Sequence, residues 1–121
     1  MEKLARVSLL GADSRTATAN GTGVDVSGYT REAIFILDCE AGSGTSPTND
    51  VKIQDSDDNS TFADVSGLTF TQVTDAAASH QKISTPADGL RKYVRAVSTL
   101  GGTSPVFVSA VVGVFRQRVQ S

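Results

Sequence analysis

Several chemistries are excluded by scarcity. Among 121 residues there is one cysteine, Cys39, one histidine, His80, and no tryptophan. A lone cysteine closes no intramolecular disulfide, so the fold does not depend on an oxidising compartment. A lone histidine excludes any multi-histidine metal centre. With no tryptophan, and only Tyr29 and Tyr93 as tyrosines, there is little to stack against a sugar ring. Charge of one sign is missing as well. Eleven Lys+Arg against thirteen Asp+Glu leave −2, which is neither the basic excess a nucleic-acid backbone requires nor an acidic solvating tail. The longest strongly apolar run, residues 105–115, is about half the roughly 20 residues of a membrane-spanning helix. The N-terminal stretch Met1–Arg6 has no long apolar segment of the signal-peptide kind. The expected partners therefore include neither nucleic acid nor membrane, and no cofactor is expected.

What the chain does have is β-forming sequence. Short runs of β-branched and aromatic residues alternate with clusters of Gly, Asn, Asp, Ser and Pro. Strands are expected at Ala5–Leu10, Gly23–Val26, Ala33–Cys39, Val51–Asp55, Thr61–Val65, Leu68–Val73, Gln81–Ser84, Lys92–Ser98 and Val106–Phe115. Gly11–Gly23 and Gly42–Asn49 read as loops, and Gly101-Gly102 as a turn. Asp75–His80 could make one helical turn. The clearest hairpin is Val51–Asp55, the turn Ser56–Ser60, then Thr61–Val65, with Val51 and Ile53 facing Phe35 and Leu37. About eight strands at spacings near ten residues imply an all-β, antiparallel two-sheet sandwich, jelly-roll-like or immunoglobulin-like. The expected organisation is one domain over residues 1–121, with short mobile arms at both ends.

No motif carries catalysis. His80 sits between Ser79 and Gln81 in what reads as a solvated polar turn, and Cys39 ends an apolar run where a buried, inert thiol is expected. The stretch Asp55–Ser60 imitates the start of a calcium loop. It has Ser60 where the sharp turn needs glycine, and Ser66 where a bidentate Glu is needed, so it reads as a polar turn. Asp25, Asp38, Asp55 and Asp64 offer no singled-out pair of facing acids. Gly42-Ser43-Gly44 and Gly101-Gly102 are followed by neither Lys-Ser/Thr nor a helix, so neither cradles phosphate. The basic cluster Arg91, Lys92 and Arg95 is interleaved with one aromatic, Tyr93, and reads as a solvated or ion-paired strand edge. The expectation is that the chain is not an enzyme.

The hairpin Val-Lys-Ile-Gln-Asp-Ser-Asp-Asp (51–58), the return strand Phe62-Ala63-Asp64-Val65, the stretch Phe70-Thr71-Gln72-Val73-Thr74 and the strand Lys92-Tyr93-Val94-Arg95-Ala96 resemble the small β-sandwich decoration, or cement, proteins of tailed bacteriophage heads. The resemblance spans about residues 31 to 115, with Phe62 where Trp is frequent and Asp55 where Glu is frequent. It implies a virion structural protein, assembled in the host cytoplasm, that binds the major capsid protein on the capsid exterior. A tail or head–tail connector subunit and a carbohydrate-binding adhesin are the alternatives. In Val106–Phe115 neither face carries a charge. With Val106, Val108, Ala110, Val112 and Val114 assigned to the core, Phe107, Val111 and Phe115 face outward as an oligomer interface, for which a small cyclic homo-oligomer is the simplest form and the three-fold axes of a capsid favour a trimer. A loop such as Gly11–Gly23 covering that stripe is the alternative. Lys3 and Arg6 are expected on a capsid-contacting N-terminal arm.

Overall fold

The computed structural model describes residues 2–26, 32–86 and 90–118. Among these, eight strands form and every pairing is antiparallel: β1 (Glu2–Arg15), β2 (Ala19–Asn20), β3 (Val24–Asp25), β4 (Glu32–Cys39), β5 (Ser43–Ser56), β6 (Ala63–Thr69), β7 (Ser79–Pro86) and β8 (Tyr93–Arg118). The fold is all-β, a jelly-roll-like sandwich. Strand pairing runs β6-β5-β8-β4-β7, with β1, β2 and β3 also on β8. The long β8 belongs to both layers. Its second half lies between β1 and β4 in a first sheet, β1-β8-β4-β7. Its first half lies in a second sheet beside β5, with β2 and β3 on its other side.

The two sheets are joined at a corner that β5 and β8 turn together. Gly44 (φ 116°) and Ser46 (φ 49°) on β5 face Gly102 (φ 96°) and Ser104 (φ 49°) on β8, and the β5–β8 register shifts between residues 43 and 48. Extra residues in a ladder bend both strands without ending them. The expected loop at Gly42–Asn49 and the expected turn at Gly101-Gly102 are therefore a bent part of two continuous strands. The glycines are there because the backbones touch. A Cβ on Gly102 would sit 2.4 Å from the Ser46 carbonyl oxygen, and one on Gly44 2.5 Å from that of Ser104.

Alternation along each strand sends one face into the space between the sheets. Phe35 and Leu37 of β4, Val51 and Ile53 of β5, Val94 and Ala96 of β8, and Leu68, Phe70 and Val73 are all buried in one core. Val51 and Ile53 thus point where the period-2 pattern put them. Phe107, Val111 and Phe115 are also core residues, each 0% exposed, and this reverses the expected faces of β8. The physical reason is depth. Sheets pack about 10 Å apart, which phenyl rings fill better than valines. The Phe35 and Phe115 rings meet edge to face, 5.8 Å apart at 84°. The same face carries Gly113, and a Cβ there would lie 2.7 Å from the Phe115 ring, so the ring folds over the glycine.

The N-terminal arm is likewise corrected. Residues Glu2–Arg6 are part of β1 and pair with Val114–Arg118 of β8, so the expected arms at the two ends are each other's strand partners. Lys3 pairs with Gln117, and Arg6, exposed, with Val114. Residues 119–121 of the expected C-terminal arm lie outside the described residues. Asp75–Ala78 forms bends with no helix, and His80 lies within β7.

Candidate functional site

The two outer faces of the sandwich differ in kind. On the second sheet the outward groups satisfy one another. Arg95 donates from Nε and Nη2 to Gln54 Oε1 (2.9 and 2.8 Å), and its guanidinium stacks over the Phe62 ring at 4.2 Å. Gln54 Nε2 donates to Asp64 (2.8 Å), which also pairs with Lys52 at 3.0 Å. The donors from Gln54 and Lys52 hold the Asp64 carboxyl below the usual carboxylate range. These polar side chains are thus paired among themselves across three strands.

The first sheet presents the opposite surface. Cross-strand register sets Arg6, Val114, Ile34 and Ser84 in one row, and Ser8, Val112, Ile36 and Lys82 in the next. Ala110, Asp38 and His80 form a third row. Val108 and Glu40 end the block, where the Glu40 N–H donates to the Val108 carbonyl at 2.9 Å. Val112, Val114, Ile34 and Ile36 are half-buried against one another, and Val108 is 40% exposed. The apolar centre is therefore two strands wide with polar residues on both margins, the composition of a docking surface. These outward valines take the place that sequence reasoning gave to Phe107, Val111 and Phe115. The signal that could have found them is the parity of Ser109 and Gly113. Small residues between phenylalanines mark an interdigitated core face.

At the lower end of this face a pocket of about 240 Å³ is lined by Asp38, Cys39, Glu40, His80, Val108, Ser109 and Ala110. It brings together the only histidine and the only cysteine without making them reactive. His80 Nδ1 lies 2.7 Å from Asp38 Oδ1, with the two side chains 74% and 59% exposed, a cross-strand surface pair of small energetic weight. Cys39 is 2% exposed, and burial pushes its thiol pKa up, away from the nucleophilic thiolate. Its Sγ accepts from Asn49 Nδ2 at 3.5 Å. The Ser109 hydroxyl and carbonyl both receive the Arg15 guanidinium, at 3.3 and 2.6 Å. Among the described residues no group of three or more His, Cys, Asp or Glu could hold a metal ion, and no helix is long and apolar enough to cross a membrane.

Asn49 was missed at the sequence level, because a lone Asn in a presumed loop carries no signal. It is fully buried. Its backbone exchanges hydrogen bonds with Val73 (2.8 and 3.0 Å), and its Oδ1 accepts from Ser98 Oγ at 2.6 Å. It is a structural knot tying β5 to β8. The hairpin tip is also structural. Asp58 accepts from the N–H groups of Ser60 and Thr61 and from Ser56 Oγ, bonds that lower its pKa to about 2.

Comparison with known proteins bears on the fold. No protein-family model matches the sequence, and no curated protein matches it. The structure is similar to that of the SPBc2 prophage-derived protein YomS, with a TM-score of 0.56 and 15% identity over 97% of this chain and 96% of that one. It is similar to a chain of the T13 infectious bursal disease virus particle, with a TM-score of 0.61 and 9% identity over 99% of this chain and 36% of the viral one. Dimeric latent PorU from Porphyromonas gingivalis contains a comparable sandwich, with a TM-score of 0.52 and 14% identity over 99% of this chain and 13% of that one. The chain thus spans nearly all of the prophage protein and about a third of the viral chain.

Proposed function

We propose that this chain is a non-enzymatic structural protein of a bacteriophage virion, one that decorates the outer surface of the capsid and cements it. The observation that carries the reading is the contrast between the two outer faces. One is polar and internally paired, and the other is apolar at its centre with polar margins. Such a molecule acts by docking. The neighbours support the setting, since one, matched over nearly its whole length, is prophage-derived and another belongs to an icosahedral virus particle. Its partners are the major capsid protein and further copies of itself. Phe107, Val111 and Phe115, expected from the sequence at a trimer interface, are buried in the core of their own chain and do not carry that contact.

A protein that binds the assembled shell and not its free subunits stabilises the shell by RT ln(1 + [L]/Kd) per site, and the gain accumulates over many sites. The test is co-sedimentation of purified protein with shells that lack it, beside unassembled capsid subunits. Saturable binding to shells alone is expected. Absence of binding to shells, or equal binding to free subunits, would overturn the proposal.

A further inference from the structure

We infer that the outer face of the first sheet is a self-docking surface, on which a second copy of this chain packs about a two-fold axis running across the strands, basic end over acidic end. This rests on the same apolar face that carries the capsid reading and names its occupant as a second copy of this chain, the shell then being met by the rest of the dimer's surface.

Lys82 and Arg6 stand in the upper two rows of the face, and Asp38 and Glu40 in the lower two. Lys82 and Arg6 are exposed, and neither makes an ion pair among the described residues. On the other sheet Lys52 is paired with Asp64 and Arg95 is held by Gln54, whereas here both cations border an apolar centre without such a partner among the described residues. A two-fold axis between the second and third rows lays Val112 and Val114 over Ala110 and Val108 of the partner subunit. The same rotation sets Lys82 over His80 of the partner subunit, one strand from Asp38 of the partner subunit and within reach of that carboxylate, and the contact occurs twice. Glu32 lies one row outside this block.

The pocket beneath Asp38 fits the same arrangement. Its floor of Val108 and Ala110 accommodates the aliphatic stem of a lysine whose ammonium reaches the carboxylates. Size sets the strength. Four strands at about 4.8 Å spacing by seven residues at about 3.4 Å each give roughly 450 Å² of flat area per copy. Specific interfaces bury about 800 Å² per partner, so the pair belongs to the weak, transient class.

The test is sedimentation equilibrium of the full chain from about 1 to 200 μM, spanning that weak range. A concentration-dependent doubling of mass is expected. Val112→Asp should remain folded by circular dichroism and sediment as a monomer. Should Val112→Asp fail to fold, Lys82→Glu reports on the same contact from an exposed rim position. It should weaken association about tenfold or more, and the double change Lys82→Glu/Asp38→Lys should recover most of it. A wild-type chain that is monomeric throughout, a closed trimer, a folded Val112→Asp that still doubles, or no recovery in the double variant would each overturn the pairing. Shell binding by a monomeric chain would overturn the pairing and leave the capsid reading intact. A dimer that binds no shells would do the reverse.

Discussion

The corner shared by β5 and β8 makes Gly102→Ala the most informative single substitution. Two costs combine there. An alanine at φ 96° carries the left-handed penalty, about 1–2 kcal/mol for an L-residue. Its Cβ would also stand 2.4 Å from the Ser46 carbonyl oxygen and 2.7 Å from that of Thr45, both backbone atoms of a strand that must then move. Together these should destabilise by about 3 kcal/mol or more, in the range reserved for strain at special backbone positions. Two further glycines separate the terms. Gly67 has φ 81° with open space around its Cβ, so Gly67→Ala should cost only the conformational part, about 1–2 kcal/mol. Gly11 has neither a positive φ nor a close neighbour, so Gly11→Ala should lie within about 0.5 kcal/mol of wild type. Urea unfolding followed by circular dichroism gives all three on one scale. If Gly102→Ala were no worse than Gly67→Ala, the corner would be pliable and the close approach of the two strands would not matter to stability.

Ile53, 0% exposed, should cost about 2–5 kcal/mol on truncation to alanine, read as a fall in the urea midpoint at unchanged slope. A wild-type midpoint would place it outside the core. Val111→Asp should abolish folding, because the position is fully buried in its own chain; a folded variant would return Val111 to the surface. At the hairpin tip, the Asp58 carboxyl is held at about 2 against its ordinary 3.8. A carboxyl depressed by folding adds stability that is present above 3.8 and is lost as pH falls toward about 2. Asp58→Asn keeps an acceptor oxygen and does not titrate, so its stability should decline less than that of wild type across this window. Parallel declines would show that the turn does not depend on the ionised group.

Much of the sandwich was legible because period-2 alternation is a local signal. Ala33–Cys39 and Val51–Asp55 could be read as strands residue by residue, and the core side of Val51 and Ile53 followed from alternation alone. The corner was hidden because Gly and Ser at positive φ look the same in a turn as in a bulge; only the partner strand tells them apart. The N-terminal arm was misread for a related reason. Glu2–Arg6 holds its place through pairing with residues 114–118, more than a hundred positions away, and local composition carries no trace of it. The face of β8 was reversed because apolar residues on both sides remove the contrast that fixes parity. The apolar outer face of the first sheet was invisible for the same reason. It takes Ile34 and Ile36 from one strand and Val112 and Val114 from another, and becomes a patch only when register sets them side by side.

β8 turns Phe107, Val111 and Phe115 in and Val108, Val112 and Val114 out, and thiol accessibility reads that parity directly. Cys39 is 2% exposed with a raised pKa, so the native background is silent to a thiol reagent. Single cysteines at Val108, 40% exposed, and Val111, 0% exposed, then report the two faces of one strand in dilute protein. Val108→Cys should react as fast as an unhindered thiol, and Val111→Cys only after unfolding. Rapid modification at 111 with protection at 108 would contradict the account.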